Sequence, residues 1–218
     1  MAAAPMAASA VEISGNVTMA TDYVFRGVSQ TNEKGAIQGG FDADFGNGFY
    51  AGTWASNVDF GSQVTTEIDV YGGYAFDAAE GVGVDLGVVY FIYPGDEAAY
   101  NYTEFVASVS VSDVSLGLVY SPDYFGDANG SATVLNADYS RSLADGVSVD
   151  LHIGLTTTEE DGFLDEDDSY VDYMAGINYD VASVTLSLAY YGNDLDDSSI
   201  LGDDITDDRL VLSISKSL

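Results

Sequence analysis

The sequence predicts an all-β protein, a closed antiparallel transmembrane β-barrel of about twelve strands. Three observations lead there. Apolar and polar residues alternate with a period of two along almost the whole chain. Long polar links and tight links take turns between the alternating segments. Carboxylates stand in the middle of strands, on the face opposite a continuous apolar row.

The first strand sets the pattern. In "VEISGNVTMATDYVF", Val11, Ile13, Val17, Met19, Tyr23 and Phe25 form one row and Glu12, Ser14, Asn16, Thr18 and Asp22 the other. Side chains of a strand point alternately to its two faces, so this is one greasy and one polar surface. The same reading places strand cores near 12–27, 36–45, 49–58, 64–76, 82–93, 101–111, 114–121, 131–142, 147–158, 168–179, 183–192 and 207–218. No segment carries a helical period. The links "GVSQTNEKG", "DFGSQ", "PGDEAAY", "PDYFGDANG", "TEEDGFLDEDD" and "GNDLDDSSILGDDITD" are long and polar. Between them come "GNG", "DAAEG", "SDV", "ADG" and "DVA", where Asn47-Gly48 and Asp145-Gly146 read as two-residue hairpin turns. Sorting loops by length onto two ends is a habit of outer-membrane barrels, with short periplasmic turns and long external loops. An even strand number places both ends of the barrel on the periplasmic side. Residues 1–10, "MAAAPMAASA", end in an Ala8-Ser9-Ala10 cleavage pattern. They read as the remnant of a signal peptide or a disordered leader, with the barrel domain spanning 11–218.

The parity decides which face is wet. Ile37, Phe41 and Phe45 oppose Gln38, Asp42 and Asp44; Val149, Leu151 and Ile153 oppose Asp150 and His152. The expected pore-lining set is Glu12, Asp22, Asp42, Asp44, Glu67, Asp69, Asp85, Glu104, Asp138, Asp150, His152 and Asp172. Unpaired ions cannot be buried dry, at several kcal/mol each. A soluble secreted sandwich would also wet this face, on its outside. Aromatic residues near strand ends favour the barrel, as interfacial girdles: Tyr23, Phe25, Phe45, Tyr50, Tyr74, Phe76, Tyr90, Tyr120, Tyr139, Tyr179 and Tyr190. An alternating apolar last strand that can pair with the first favours it too.

Composition narrows the function. Against 36 acidic residues stand 5 basic ones, a net charge of −31. That excludes a nucleic-acid partner and predicts attraction of cations, although solubility or a salty habitat also selects for acidity. The absence of cysteine excludes disulfides and thiol chemistry. No run of 18 apolar residues forms a transmembrane helix, which a barrel does not need.

Catalysis has little to stand on. Ser108, Ser148 and Ser187 are nucleophile candidates, but nothing in the spacing brings one to His152, and no enzymatic activity or cofactor is expected. The acidic loops "EEDGFLDEDDS" and "NDLDDSSILGDDITDD" lack the D-x-D-x-D-G spacing of a calcium loop and read as solvated charge runs; the sequence leaves metal binding undetermined. Among the few cations, Arg26 has luminal parity and is expected to pair with Asp22 or Asp42. Arg209 is a second inward candidate, and Arg141 belongs to the outer row.

The stretches "TDYVFRGVSQT", "AIQGGFDADF", "GFYAGTWASNVDF", "EIDVYGGYAF", "YFIYPG", "YTEF", "YSPDYFG" and "SISKSL" resemble the TorF family of porins, also catalogued as Gcw_chp. The similarity runs through the mature chain and is densest over 22–60. It implies a Gram-negative outer-membrane barrel with porin activity and no catalytic residues. The terminal Leu218 departs from the aromatic residue common at the end of such barrels. The resulting expectation is a cation-selective, porin-like channel, exported through the periplasm to the outer membrane. Its partners would be outer-membrane lipid, lipopolysaccharide and small cations or polar solutes. The alternative is a non-conducting scaffold or adhesin acting through its external loops.

Overall fold

The computed structural model describes residues 10–95, 100–126, 130–159, 168–195 and 203–218. The leader assignment for residues 1–10 therefore lies almost wholly outside the described residues. So do most of the two acidic loops considered for calcium.

Period-two alternation gives strands, and these strands close on themselves. The elements are β1 (Glu12–Ala20), β2 (Val24–Phe25), β3 (Val28–Ser29), β4 (Ala36–Asp44), β5 (Phe49–Asn57), β6 (Thr66–Ala79) and β7 (Val82–Ile92). After them come β8 (Tyr102–Val111), β9 (Val114–Ser121), β10 (Ala132–Ala144), β11 (Val147–Thr158), β12 (Ser169–Val181), β13 (Val184–Asn193), a four-residue helix α1 (Asp203–Thr206) and β14 (Arg209–Ser217). All except β2, β3 and α1 form one closed barrel in which every neighbouring pair is antiparallel. Closure runs through β1 and β14, with Asn16 opposite Ser217 and Ala20 opposite Ser213. The Leu218 amide continues the seam to the Gly15 carbonyl at 2.8 Å. No edge strand is left to bare its amides to hydrocarbon, which is the condition for spanning a bilayer with strands.

The alternation sorts side chains as expected. Tyr74, Leu86, Val109, Leu151 and Leu188 lie on the exposed outer face, and so do Phe41, Leu116, Ile153 and Leu212. In water such a surface would aggregate; against lipid it is the stable arrangement. Arg141 also lies outside, at the short-turn end, 3.7 Å from Asp113. The tight turns need left-handed backbone: Gly81, Ser112, Gly146 and Ala182 all have positive φ. One turn differs from expectation. The link at Asn47-Gly48 covers Phe45 to Gly48, and it is Gly46 and Gly48 that take positive φ.

The largest departure is at the first strand. It was expected to continue to residue 27, but β1 stops at Ala20, and the chain turns into the barrel to form the small hairpin β2–β3. Tyr23 and Phe25, expected in an outer girdle, are therefore inside. Tyr50 is inside as well, with its hydroxyl on Asp85.

Candidate functional site

The inserted hairpin defines the site. Val24 pairs with Ser29 and Phe25 with Val28, leaving Arg26 and Gly27 as a two-residue turn with φ of 49° and 78°. Both values are positive, the signature of a type I′ connection. The turn reaches across the lumen. Tyr170 on β12 donates its hydroxyl proton to the Arg26 carbonyl at 3.0 Å, and Asn193 on β13 donates to the Gly27 carbonyl at 2.9 Å. On the opposite wall, Arg26 Nη1 and Nη2 donate to Glu104 Oε1 and Oε2 on β8 at 2.7 and 3.0 Å. A forked guanidinium–carboxylate pair of this kind is the strong form of ion pair. Nη1 also meets the Tyr124 hydroxyl at 3.2 Å, and the guanidinium carbon stands 4.5 Å from the Phe25 ring centre. Burial disfavours the cation, yet Tyr124 and Glu104 outweigh it and push the Arg26 pKa further up.

The root of the hairpin is tied down separately. Asp22, expected on the strand, is a buried loop residue accepting from Ser29 Oγ at 2.7 Å, Thr31 Oγ1 at 2.6 Å and Arg209 Nη1 at 3.0 Å. Lys34 reaches Asp59 at 2.7 Å on the surface and lowers that carboxyl's pKa through its hydrogen bond. Tyr23 donates to Glu67 at 2.8 Å and packs edge-on against Trp54 at 5.3 Å. Burial, with Glu67 beside it, pushes the Tyr23 phenol well up, so it remains the donor.

Around the hairpin lies an aromatic core at the long-loop end of the barrel: Phe91, Tyr93, Tyr102, Tyr124 and Tyr170, with Val58 and Val64. Phe91 and Tyr102 stack at 4.3 Å. This end of the lumen is packed like a small globular core rather than lined with water.

The other half of the lumen is different. Asp42 accepts from the Tyr71 hydroxyl at 2.5 Å and Asp85 from Tyr50 at 2.9 Å. The tyrosine rings lie against the wall because Gly52 and Gly73 have no Cβ; one placed there would collide with Tyr71 and Tyr50 respectively. Asp150 accepts from Asn178 at 2.5 Å. His152 meets Asp138 through Nδ1 at 2.6 Å and Asp172 through Nε2 at 3.1 Å. Among the described residues no lysine or arginine pairs with Asp42, Asp85, Asp138 or Asp150. Glu12 and Asp44 are register partners, both exposed at the short-turn rim. Asp69, 8% exposed, leaves one carboxylate oxygen without a partner.

The sequence did not show what several of these carboxylates meet. Arg26 pairs with neither Asp22 nor Asp42: the turn carries it past both, and Asp22 goes to Arg209. The serines considered as nucleophiles are not near the imidazole's ring nitrogens, which face two carboxylates; Ser148 and Ser187 bond to Asn178 instead. Tyr102, Tyr124 and the hairpin were not singled out. The available signal was Arg26-Gly27 between two short β-prone runs, a turn sequence hidden by the alternation around it.

Gly27 gives a direct test of this seating. Its φ suits glycine, and an added Cβ would fall 2.9 Å from Asn193 Cβ and 3.0 Å from Asp172 Cβ. Gly27→Val is expected to unseat the tip, with strain on the order of 1–3 kcal/mol from the backbone alone. Trp54, the single tryptophan of the chain, should then lose its Tyr23 neighbour, and its emission should shift to the red. An unchanged spectrum in a folded variant would contradict the seating.

A closed barrel with an exposed apolar exterior and a carboxylate-bearing interior has the architecture of the porin fold. The chain belongs to the Gcw_chp family, described as a bacterial protein of unknown function, which it matches over residues 4–218. No curated protein matches it in sequence. Solved structures share the fold at low identity. The NanC porin aligns with a TM-score of 0.61 at 11% identity, over 92% of this chain and 97% of its own. The KdgM porin, solved in complex with disordered oligogalacturonate, aligns at 0.59 and 12%, over 96% and 99%. An outer-membrane channel from Pseudomonas putida F1 aligns at 0.56 and 11%, over 99% and 96%.

Proposed function

We propose that this chain is a porin-like channel of the bacterial outer membrane, as its TorF resemblance implies, passing cations and small polar solutes through an acidic lumen. One observation carries the reading: Asp42, Asp85, Asp138 and Asp150 share the interior face with no lysine or arginine partner among the described residues. Carboxylates held in a low-dielectric tube focus a negative potential that concentrates cations and repels anions. An acidic oligosaccharide such as the one in the KdgM crystal is a poor solute for this interior, so the shared barrel does not carry that ligand over. The exterior apolar band meets lipid, and the long-loop end meets lipopolysaccharide. The chain's work is passage, not catalysis, and it uses no cofactor.

The hairpin across the lumen favours a second reading, a non-conducting scaffold or adhesin. Reversal potential across a planar bilayer under a KCl gradient separates the two. A cation preference is expected, weakening with salt as the Debye length falls from about 10 Å at 0.1 M to about 3 Å at 1 M. Changing Asp42, Asp85 and Asp150 together to Asn should remove most of it. An anion-selective or neutral pore refutes the mechanism; no conductance from wild type or from a hairpin-deleted chain leaves the scaffold.

A further inference from the structure

The Arg26 side chain is bound as a ligand would be. Its guanidinium receives a forked carboxylate from Glu104, a hydroxyl from Tyr124 and the ring face of that tyrosine at 5.5 Å. All of these wall groups belong to other elements, and none moves with the hairpin. Two further polar atoms border the pocket without hydrogen-bond partners. One is the hydroxyl of Tyr102, 0% exposed, an electrostatic neighbour of Arg26 whose ring packs edge-on against Tyr124 at 5.4 Å. The other is Oδ1 of Asp69, 8% exposed. Asp69 and Tyr102 both register with Phe91, so they flank it on the same wall. Native interiors rarely leave such atoms unmet, and each points to donors or acceptors that Arg26 does not supply.

The occupant is also removable. It sits on a loop joining β1 to β4, whose ends Ala20 and Ala36 are register partners, so the barrel stays closed if the loop withdraws. Apart from the Glu104 pair and the Tyr124 contact, the turn itself is held by two hydrogen bonds to its carbonyls, which water can replace.

We infer that Glu104, Tyr124, Tyr102 and Asp69 form a guanidinium-binding pocket in the lumen, filled at rest by Arg26, and that solutes bearing a planar guanidinium displace it on entering the barrel. The inference rests on the channel reading and narrows its solute class. A planar guanidinium meets a carboxylate with two parallel charge-assisted bonds, whereas a neutral urea of the same shape offers the same fork without the charge. A tethered occupant competes at an effective concentration of order millimolar. Wild type should therefore bind free guanidinium more weakly than a chain lacking Arg26.

The test uses the full chain in detergent micelles, with methylguanidinium chloride and methylurea as probes and calorimetry as the readout. Arg26→Ala should bind methylguanidinium about tenfold more tightly than wild type and about tenfold more tightly than methylurea. Adding Glu104→Gln should abolish that preference. Heat-dependent gel mobility reports whether each barrel has folded; Arg26→Gln replaces Arg26→Ala if the latter has not. Equal affinity for both probes, or binding indifferent to Glu104→Gln, overturns the pocket. KCl conductance of the same preparations separates the two levels. A cation-selective pore without methylguanidinium binding refutes this inference and leaves the channel standing. Binding with no conductance in any variant refutes the solute role together with the channel reading.

Discussion

Replacing residues 22–34 by a short glycine-containing turn will raise single-channel conductance by roughly an order of magnitude. The barrel should tolerate the change, because Ala20 and Ala36 already face each other in register and β1 pairs with β4 along its whole length. What is lost is the only described segment that crosses the lumen, together with Tyr23, Phe25 and Arg26 from its aromatic core. Ion passage requires a continuous wet path, and a packed aromatic layer is a dewetting barrier. Deletion also strips Arg26 from Glu104, which adds an unneutralised carboxylate to the opened path and should strengthen cation preference. The measurement is single-channel current in planar bilayers at fixed KCl. If the shortened chain folds and carries the wild-type current, the hairpin is not the constriction.

The second large effect concerns the Arg26–Glu104 pair. With Glu104 4% exposed, Glu104→Ala leaves a guanidinium buried without its counter-ion, a loss of about 3–5 kcal/mol in comparable cases. The barrel has a way to avoid that cost, since the hairpin can leave and return Arg26 to water. Release wins whenever the remaining anchors are worth less than the stranded charge. Those anchors are the Asp22–Arg209 pair, the Tyr23–Glu67 bond, the Tyr170 and Asn193 bonds to the turn carbonyls and the packing of Phe25 on Phe91. Glu104→Ala should therefore expose the turn, and a broad-specificity protease such as subtilisin should cut within residues 22–34, which stay intact in wild type. Combining Arg26→Met with Glu104→Leu removes both charges and should restore protection, because apolar pairs of similar volume replace buried ion pairs at little cost. Mass spectrometry of the digests reads both outcomes. Cleavage in the double variant equal to that in Glu104→Ala would show that packing, not the charge pair, seats the hairpin.

The two effects have a common origin in how the first link was built. From the sequence, Tyr23 and Phe25 continue the apolar row of Val17 and Met19, so one long strand is the natural reading. A strand that faces lipid and a hairpin that faces an aromatic core need the same alternation. Both bury one row of side chains away from water, and parity carries no label for which apolar phase receives it. The same ambiguity hid Tyr50, whose ring is inside only because Gly73 and Gly87 leave room for it across two neighbouring strands. That room depends on register between strands, which a local pattern does not contain.

Within strands the reading held closely. Val114–Ser121 coincides with its expected segment, and Val147–Thr158 does too. Asp42, Asp69, Asp85, Asp150 and Asp172 lie on the face away from the exposed apolar row. These follow from local rules: the period of two, the glycine and Asn/Asp turn residues, and the impossibility of burying a bare carboxylate in hydrocarbon. By itself, then, the sequence determined a closed all-β barrel of twelve strands, its short-turn end, and which rows of residues face outward and which inward. The tertiary structure alone decided that the chain between β1 and β4 turns inward, that Arg26 crosses to Glu104 rather than to Asp22, and that aromatic rings pack into the long-loop half of the lumen. Those outcomes are set by contacts between residues far apart in the chain, where competing partners of like chemistry are separated by geometry and not by residue type.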